Sequence, residues 1–250
     1  MSVTNLNIPG KLALTVDGLF TDEECHALIL KAETQNGYAP AGLNTGVTQK
    51  LYKEVRDCQR WINDDPDLAG KFYEKIGRYL PENPPGNPHY HLVGLNERLR
   101  FLKYAKGQYF KRHYDGEYER PDGSERSFVT VQIYLNTVKS GGETNFYGRG
   151  GKIASVVPKP GRVLIFEHEI LHDGGTIVDG VKHVIRTDVM CSKSKDRTPY
   201  KPSEEELAAR KFFDEAVDCE MQGRPMAAVP LYKKAFKMWP ALQEASGVIL

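Results

Sequence analysis

The residues with the most chemical potential lie between positions 104 and 186. His113 and Asp115 stand two apart, and His172 follows far downstream. Side chains two apart on a strand point the same way, so His113 and Asp115 can reach one ion, and His172 must arrive from another strand. Two imidazoles and one carboxylate form an N/O donor set that suits non-haem Fe(II) and leaves coordination positions open. His168 lies four residues before His172 in EHEILH and competes for the distal position. Lys182 and Arg186 share a face if the strand through HVIRTDV is regular. Either cation can meet a carboxylate, Lys as a point charge and Arg bidentately. The competing reading for both is a structural ion pair with an acid such as Asp188.

A lone His-x-Asp carries little, because surface loops contain many. The ordered set resembles the prolyl 4-hydroxylase-like branch of the 2-oxoglutarate/Fe(II) dioxygenases, over about residues 10–193. That family's metal motif is His-x-Asp and a distant His, matched by His113, Asp115 and His172. His172 is preferred over His168 because Lys182, in GVK, then follows at the family's spacing. The resemblance implies Fe(II) as cofactor, 2-oxoglutarate as co-substrate and ascorbate as a possible further requirement. It implies Lys182 as the anchor of the co-substrate carboxylate. Arg186 is a rival, because other branches place an arginine later on this strand. It also implies co-substrate hydrogen bonds from Tyr104 and Tyr134, whose phenols can donate; aromatic packing is the alternative. Thr144 and Asn145 in GGETNF line the pocket or serve a turn, Arg112 beside the metal motif is a candidate substrate contact, and Arg162 is a further basic candidate with no role assigned. The implied reaction hydroxylates a C–H bond and releases succinate and CO2. The implied substrate is a prolyl residue in a protein or peptide; a free amino acid or other small molecule is the alternative.

The elements that must position these groups are mostly strands. From residue 98 the pattern turns β-rich: RLRFLKYA, QYFKRHYD, SFVTVQIYLN, ASVVP, RVLIFEH and HVIRTDVMC. Glycine-containing turns separate them, which suggests a sandwich or barrel. With the double-stranded β-helix that the resemblance implies, the expected class is α+β: a double-stranded β-helix (jelly-roll or cupin-like) core, flanking N-terminal helices and a C-terminal helical hairpin. LALTV predicts a strand over 12–16. Thr21 and Glu24 predict a capping box opening a helix over about 22–34. Residues 37–53 read as a loop that carries part of substrate selection. A second helix starts at Asp64-Asp65-Pro66-Asp67 and stops at Pro81. His89 and His91 form a pair with no neighbouring carboxylate or cysteine to complete a site. Residues 117–126 read as a polar loop able to act as a lid.

Composition changes after Cys191. Residues 194–203 read as a linker, and 204–250 as two helices around Gln222-Gly223-Arg224, similar to a single tetratricopeptide repeat. Pro230 should kink the second helix or delay its start. One repeat cannot bury its own face, so it should dock on the core, a second copy or a protein partner. The division is therefore 1–97 support region, 98–193 catalytic core, 194–203 linker and 204–250 hairpin. An interaction adaptor using the hairpin is the reading from another class.

The chain has 250 residues and a formal net charge of +1, which demands no polyanionic partner, and no nucleic acid is expected. No apolar run reaches membrane-spanning length, so no membrane partner is expected. The N-terminus lacks a signal-peptide pattern. Cys25, Cys58, Cys191 and Cys219 are scattered and form no CxxC, which suits free thiols in the cytoplasm, or the nucleus.

Overall fold

The computed structural model describes residues 1–35, 37–44, 49–194, 196 and 198–249. Two strands, β1 (Ser2–Asn5) and β2 (Ala13–Asp17), precede helix α1 (Asp22–Thr34). The capping box forms as the sequence predicts: the Thr21 hydroxyl accepts from the Glu24 N–H, and Glu24 accepts from the Thr21 N–H. Residues 37–53 are not wholly a loop. They hold β3 (Ala39–Pro40), β4 (Leu43–Asn44) and β5 (Gln49–Lys50); the predicted loop's residues 45–48 lie outside the described residues. Then come β6 (Arg56–Asp57), β7 (Gln59–Asp64) and α2 (Pro66–Ile76). Asp65 caps α2, and the helix gives way to a 3-10 turn at Gly77–Tyr79, before Pro81.

The remaining strands are β8 (His91–Leu95), β9 (Arg98–Tyr104), β10 (Tyr109–His113), β11 (Arg126–Tyr134), β12 (Ser140–Gly141), β13 (Thr144–Gly148), β14 (Gly151–Val156), β15 (Val163–Glu167), β16 (His172–Gly174), β17 (Ile177–Asp179) and β18 (Lys182–Ser192). Helices α3 (Glu204–Met221), α4 (Pro225–Met238) and α5 (Pro240–Ser246) follow. Pro230 sits inside α4, which nonetheless starts at Pro225.

The larger sheet runs β1-β2-β15-β11-β18-β9-β7-β3, with β8 also paired to β18. The smaller runs β14-β13-β16-β10-β6. Their stacking is the double-stranded β-helix that the resemblance implies, one of the sandwich or barrel forms the strand pattern suggests. N-terminal strands are therefore part of the main sheet and not only its support: β2 pairs with β15 and β7 with β9.

Successive strand residues face opposite ways, and the sheet exploits this. Phe101, Val131, Ile133, Ile165 and Ile185 pack on α1 and α2 residues such as Leu28, Phe72 and Ile76. The alternate residues Leu102, Tyr104, Tyr134, Leu164 and Val184 form a second cluster with Phe146 and Phe166, between the sheets. Gly161, at φ +70°, ends the Lys159-Pro-Gly turn ahead of β15; a Cβ there would sit 2.0 Å from the Phe20 carbonyl oxygen.

Helices α3 and α4 close on each other through Ala216, Ala228, Tyr232, Ala235 and Phe236. Of the three docking possibilities, the hairpin takes the β-sheet core. Arg210 of α3 lies 2.6 Å from buried Glu97, and Arg98 of β9 pairs with Asp214. Glu97 also receives both terminal guanidinium nitrogens of buried Arg120, at 2.9 Å each. Arg120 belongs to the predicted lid, so residues 117–126 are pinned there by a buried ion pair instead of standing free. Among the described residues no helix is long and apolar enough to cross a membrane.

Removing one partner of a buried ion pair strands the others, at about 3–5 kcal/mol. Glu97→Gln is expected to cost that order of stability in urea denaturation. Burial opposes ionisation of Glu97, but Arg120 and Arg210 outweigh it and bring the carboxyl down to about 2, from 4.5. Its contribution is thus complete above about pH 4.5 and is lost as pH falls toward 2. Over that range the variant should lose less stability than the wild type.

Candidate functional site

His113 ends β10 and His172 begins β16, and the two residues are register partners in the smaller sheet. Their rings lie 4.2 Å apart, centre to centre. Asp115 follows β10, where its N–H donates to the His168 carbonyl at 3.2 Å. The Nε2 atoms of His113 and His172 are each 3.7 Å from an Asp115 carboxylate oxygen. One donor atom from each residue falls within 4.8 Å of the others, the one such His/Cys/Asp/Glu group among the described residues.

The imidazoles are prepared as ligands. Nδ1 of His113 donates to the Lys111 carbonyl at 2.8 Å, and Nδ1 of His172 to the Ile170 carbonyl at 2.9 Å. A carbonyl only accepts, so each Nδ1 carries the proton and each Nε2 keeps its lone pair for the centre. Burial, helped by neighbouring His172, pushes His113 down to about 3, and burial lowers His172 as well. Both rings are neutral near pH 7. Burial alone would raise Asp115, but Arg186 and the two histidines outweigh it and hold the carboxyl well below its ordinary range. Two neutral imidazoles and an ionised carboxylate fit a divalent iron ion.

The larger sheet supplies the supports. The Thr130 hydroxyl donates to Asp115 at 2.6 Å. Arg186 Nη2 bridges Asp115 at 3.2 Å and Asp188 at 3.0 Å. Asp188 also meets Arg100 at 3.0 Å and His168 at 3.5 Å. His168 therefore stands behind the centre, not in it.

Lys182 is in a different state. It is 4% exposed, donates to the Gly142 carbonyl at 2.8 Å, and faces the rings of Tyr134 at 5.3 Å and Tyr104 at 5.6 Å. Among the described residues no carboxylate comes within 4.0 Å of it. Burial brings the ammonium down to about 8. Tyr134 donates to Thr144 at 2.7 Å, and burial raises the phenols of both tyrosines. Other expected contacts lie elsewhere. Arg162 pairs with Asp17, Arg112 lies over the Tyr147 ring at 3.9 Å, and Asn145 donates to Asp173 at 2.8 Å. His91 Nδ1 lies 3.0 Å from the Asn83 amide, so the histidine pair keeps its local role.

A cavity of about 810 Å³ joins these groups. It runs from His172 and Lys182 past Arg100 to Phe213 of α3, Trp239 and Ser246 of α5, so the hairpin forms one wall. Sequence reasoning missed Thr130, Gln132, Arg100 and this wall. Counting back by twos from Tyr134 and Tyr104 would have placed the first three on the same face.

The fold is the double-stranded β-helix of 2-oxoglutarate oxygenases. Residues 99–187 match the family model described as the 2OG-Fe(II) oxygenase superfamily, which supports that placement for the core. A curated relative, probable prolyl 4-hydroxylase 6 of Arabidopsis thaliana, is 26% identical over 186 residues, which are 66% of this chain. The match spans 60% of that relative's length. Two solved structures share the fold. A viral collagen prolyl hydroxylase of Paramecium bursaria Chlorella virus-1, in complex with 2OG, has a TM-score of 0.52 at 22% identity, covering 73% of this chain and 97% of its own. A prolyl hydroxylase of Trichoplax adhaerens, with a hypoxia inducible factor peptide fragment, has a TM-score of 0.57 at 18% identity, covering 77% and 87%.

Loss of a group that orients a ligand costs about 10–100-fold in metal affinity. Thr130→Val, which keeps shape and removes the donor to Asp115, is expected to weaken Fe(II) binding by that factor in anaerobic calorimetry. Its unfolding midpoint should stay close to that of the wild type.

Proposed function

We propose that this protein is an Fe(II)- and 2-oxoglutarate-dependent dioxygenase, with His113, Asp115 and His172 holding the iron. The observation that carries the reading is the pairing of that donor set with Lys182, a buried cation with no carboxylate within 4.0 Å among the described residues. Lys182 receives the distal carboxylate of 2-oxoglutarate. Arg186 has its charge met by Asp115 and Asp188, which favours Lys182 over it as the anchor. Bound iron and 2-oxoglutarate would supply the oxidising chemistry, hydroxylation of a C–H bond with release of succinate and CO2.

The chain's own residues bind, orient and exclude water. Carbonyl-anchored imidazoles hold the lone pairs on one centre, and Thr130 and Arg186 fix the Asp115 carboxylate. Buried Tyr104 and Tyr134 flank the Lys182 ammonium and keep its surroundings of low polarity, where a carboxylate pair is strong. Phe146 and Phe166 close the floor beneath His172. The substrate reading is a prolyl residue in a protein or peptide. It is supported by the name of the curated relative and by the peptide in the Trichoplax structure. A small molecule is favoured by a different observation, the wall that α3 and α5 add to the cavity. Ascorbate is proposed only by likeness to the family. The domain division at 98–193 and 204–250, and a tetratricopeptide-like hairpin, rest on sequence pattern. Four free, buried cysteines suit a cytoplasmic or nuclear setting.

Anaerobic titration with Fe(II) and 2-oxoglutarate should give a visible charge-transfer band in wild type that is lost in His172→Ala. Lys182→Ala should need about 10–100-fold more 2-oxoglutarate, the value of a charge-assisted contact in a dry site. Arg186→Ala should instead weaken the metal. The carboxylate needs the charged lysine, so affinity should fall as pH rises through about 8, roughly tenfold per unit. A wild-type band that never forms on folded, iron-loaded protein would reject the assignment.

A further inference from the structure

The cavity holds two more cations that the chemistry above does not use. Most of its arginines are answered by acids: Arg98 by Asp64 and Asp214, Arg100 by Asp188, and Arg210 by Glu97. Arg56 and Arg60 are half-buried, line the same cavity, and have no carboxylate within 4.0 Å among the described residues. Arg56 Nε donates to the Cys58 sulfur at 3.2 Å, and its guanidinium lies 4.8 Å over the Phe110 ring. Phe110 in turn stacks on His113 at 3.5 Å, so Arg56 stands one ring from the donor set. Arg60 donates to the Gln49 amide oxygen.

Three acids act from longer range: Asp115, already paired with Arg186, on Arg56, which stays charged, and Asp214 and Asp218 of α3 on Arg60. Asp214 is already committed to Arg98, and burial, with Asp214 beside it, raises Asp218 toward its neutral form. Burial and then the neighbouring Arg56, Arg100 and Arg98 bring Arg60 down to about 9. Guanidinium groups crowded in a recess, two of them with no carboxylate within 4.0 Å among the described residues, make a local field that favours an anion. Partly desolvated guanidinium groups without a counter-charge are costly, and a ligand carboxylate or phosphate offsets that cost through fork-shaped hydrogen bonds.

We propose that Arg56 and Arg60 form an anion subsite for the substrate, so that the molecule hydroxylated here carries a carboxylate or phosphate group seated between β6, β7 and the α3 wall. This rests on the oxygenase reading above. The cations then divide their roles, with Lys182 holding the co-substrate and the two arginines the substrate. The anion can belong to a free small acid or to an acidic group on a peptide.

The first probe is sulfate, titrated by calorimetry into the protein loaded with Fe(II) and 2-oxoglutarate without oxygen. One sulfate site is expected. Arg60→Gln should weaken it by about tenfold or more, and the double change with Arg56→Gln should abolish it. Arg60→Lys should keep part of the binding, which a merely structural role would not predict. The charge-transfer band and its 2-oxoglutarate requirement should be unchanged in all three variants. Two matched pairs then separate the sources, read as stimulated 2-oxoglutarate turnover. N-acetylproline against its amide tests a free acid; a Pro-Glu against a Pro-Gln blocked dipeptide tests an acidic peptide. Sulfate binding that is absent, or equal in wild type and the double variant, overturns the proposal. So does a raised 2-oxoglutarate requirement, which would assign the arginines to the co-substrate. A missing band in wild type instead defeats the oxygenase reading itself, whatever sulfate does.

Discussion

Everything in the site depends on the alternation of side chains along three strands that are covered on both faces. In β9, β11 and β18, odd and even positions serve different masters. Phe101, Val131, Ile133 and Ile185 belong to the core under the helices. Arg100, Thr130, Gln132, Lys182 and Arg186 belong to the cavity side. A slip of one residue in any pairing would exchange these sets, burying charge under α1 and α2 and lining the site with hydrocarbon. The apolar half therefore does more than stabilise. It fixes the register, Gln132 opposite Arg186 and Lys182 opposite Tyr104, and so sets which polar groups meet.

Charge compensation is the second organising rule. Ionised groups this far from water survive only in pairs or networks. Asp115, Arg186, Asp188 and Arg100 form one chain of alternating sign, and Glu97, Arg120 and Arg210 form another. The first ties the donor set to the large sheet; the second ties the hairpin and residues 117–126 to the same sheet. Against that background an uncompensated cation is informative. Lys182, Arg56 and Arg60 stand out because, among the described residues, they have no carboxylate within 4.0 Å while their neighbours are paired.

Local chemistry makes much of this legible in the sequence. Strand composition and turn glycines point to a sandwich or barrel, the resemblance narrows it to the β-helix, and Thr21 with Glu24 marks the start of α1. His113, Asp115 and His172 meet in space, and Lys182 lines the same cavity. Illegible parts are those in which partners are distant in sequence and ordinary in type. Nothing about Thr130 as a residue announces a carboxylate 15 positions away. Family spacing favours Lys182 over Arg186, although both lie on one face, and it says nothing of Asp115 and Asp188, which meet the arginine. Residues 39–64 are hardest. The strands described there are short or polar, so their periodicity is weak, and β6 and β7 find their places only through pairing with β10 and β9.

The hairpin shows how a peripheral element acquires a bearing on chemistry. Its internal core of Ala216, Ala228, Tyr232 and Ala235 would satisfy any two-helix unit. What commits it to this site is polar: Asp214 and Arg210 are charges that a free hairpin would leave in water. Here they complete Arg98 and Glu97 on β9 and in the turn before it. Meeting those charges brings Phe213 and Trp239 to the cavity wall. In doing so Asp214 is used up by Arg98, and Arg60 is left without a carboxylate partner among the described residues. The docking that walls the cavity is thus also what commits Asp214 to Arg98 rather than to Arg60 on the β7 wall.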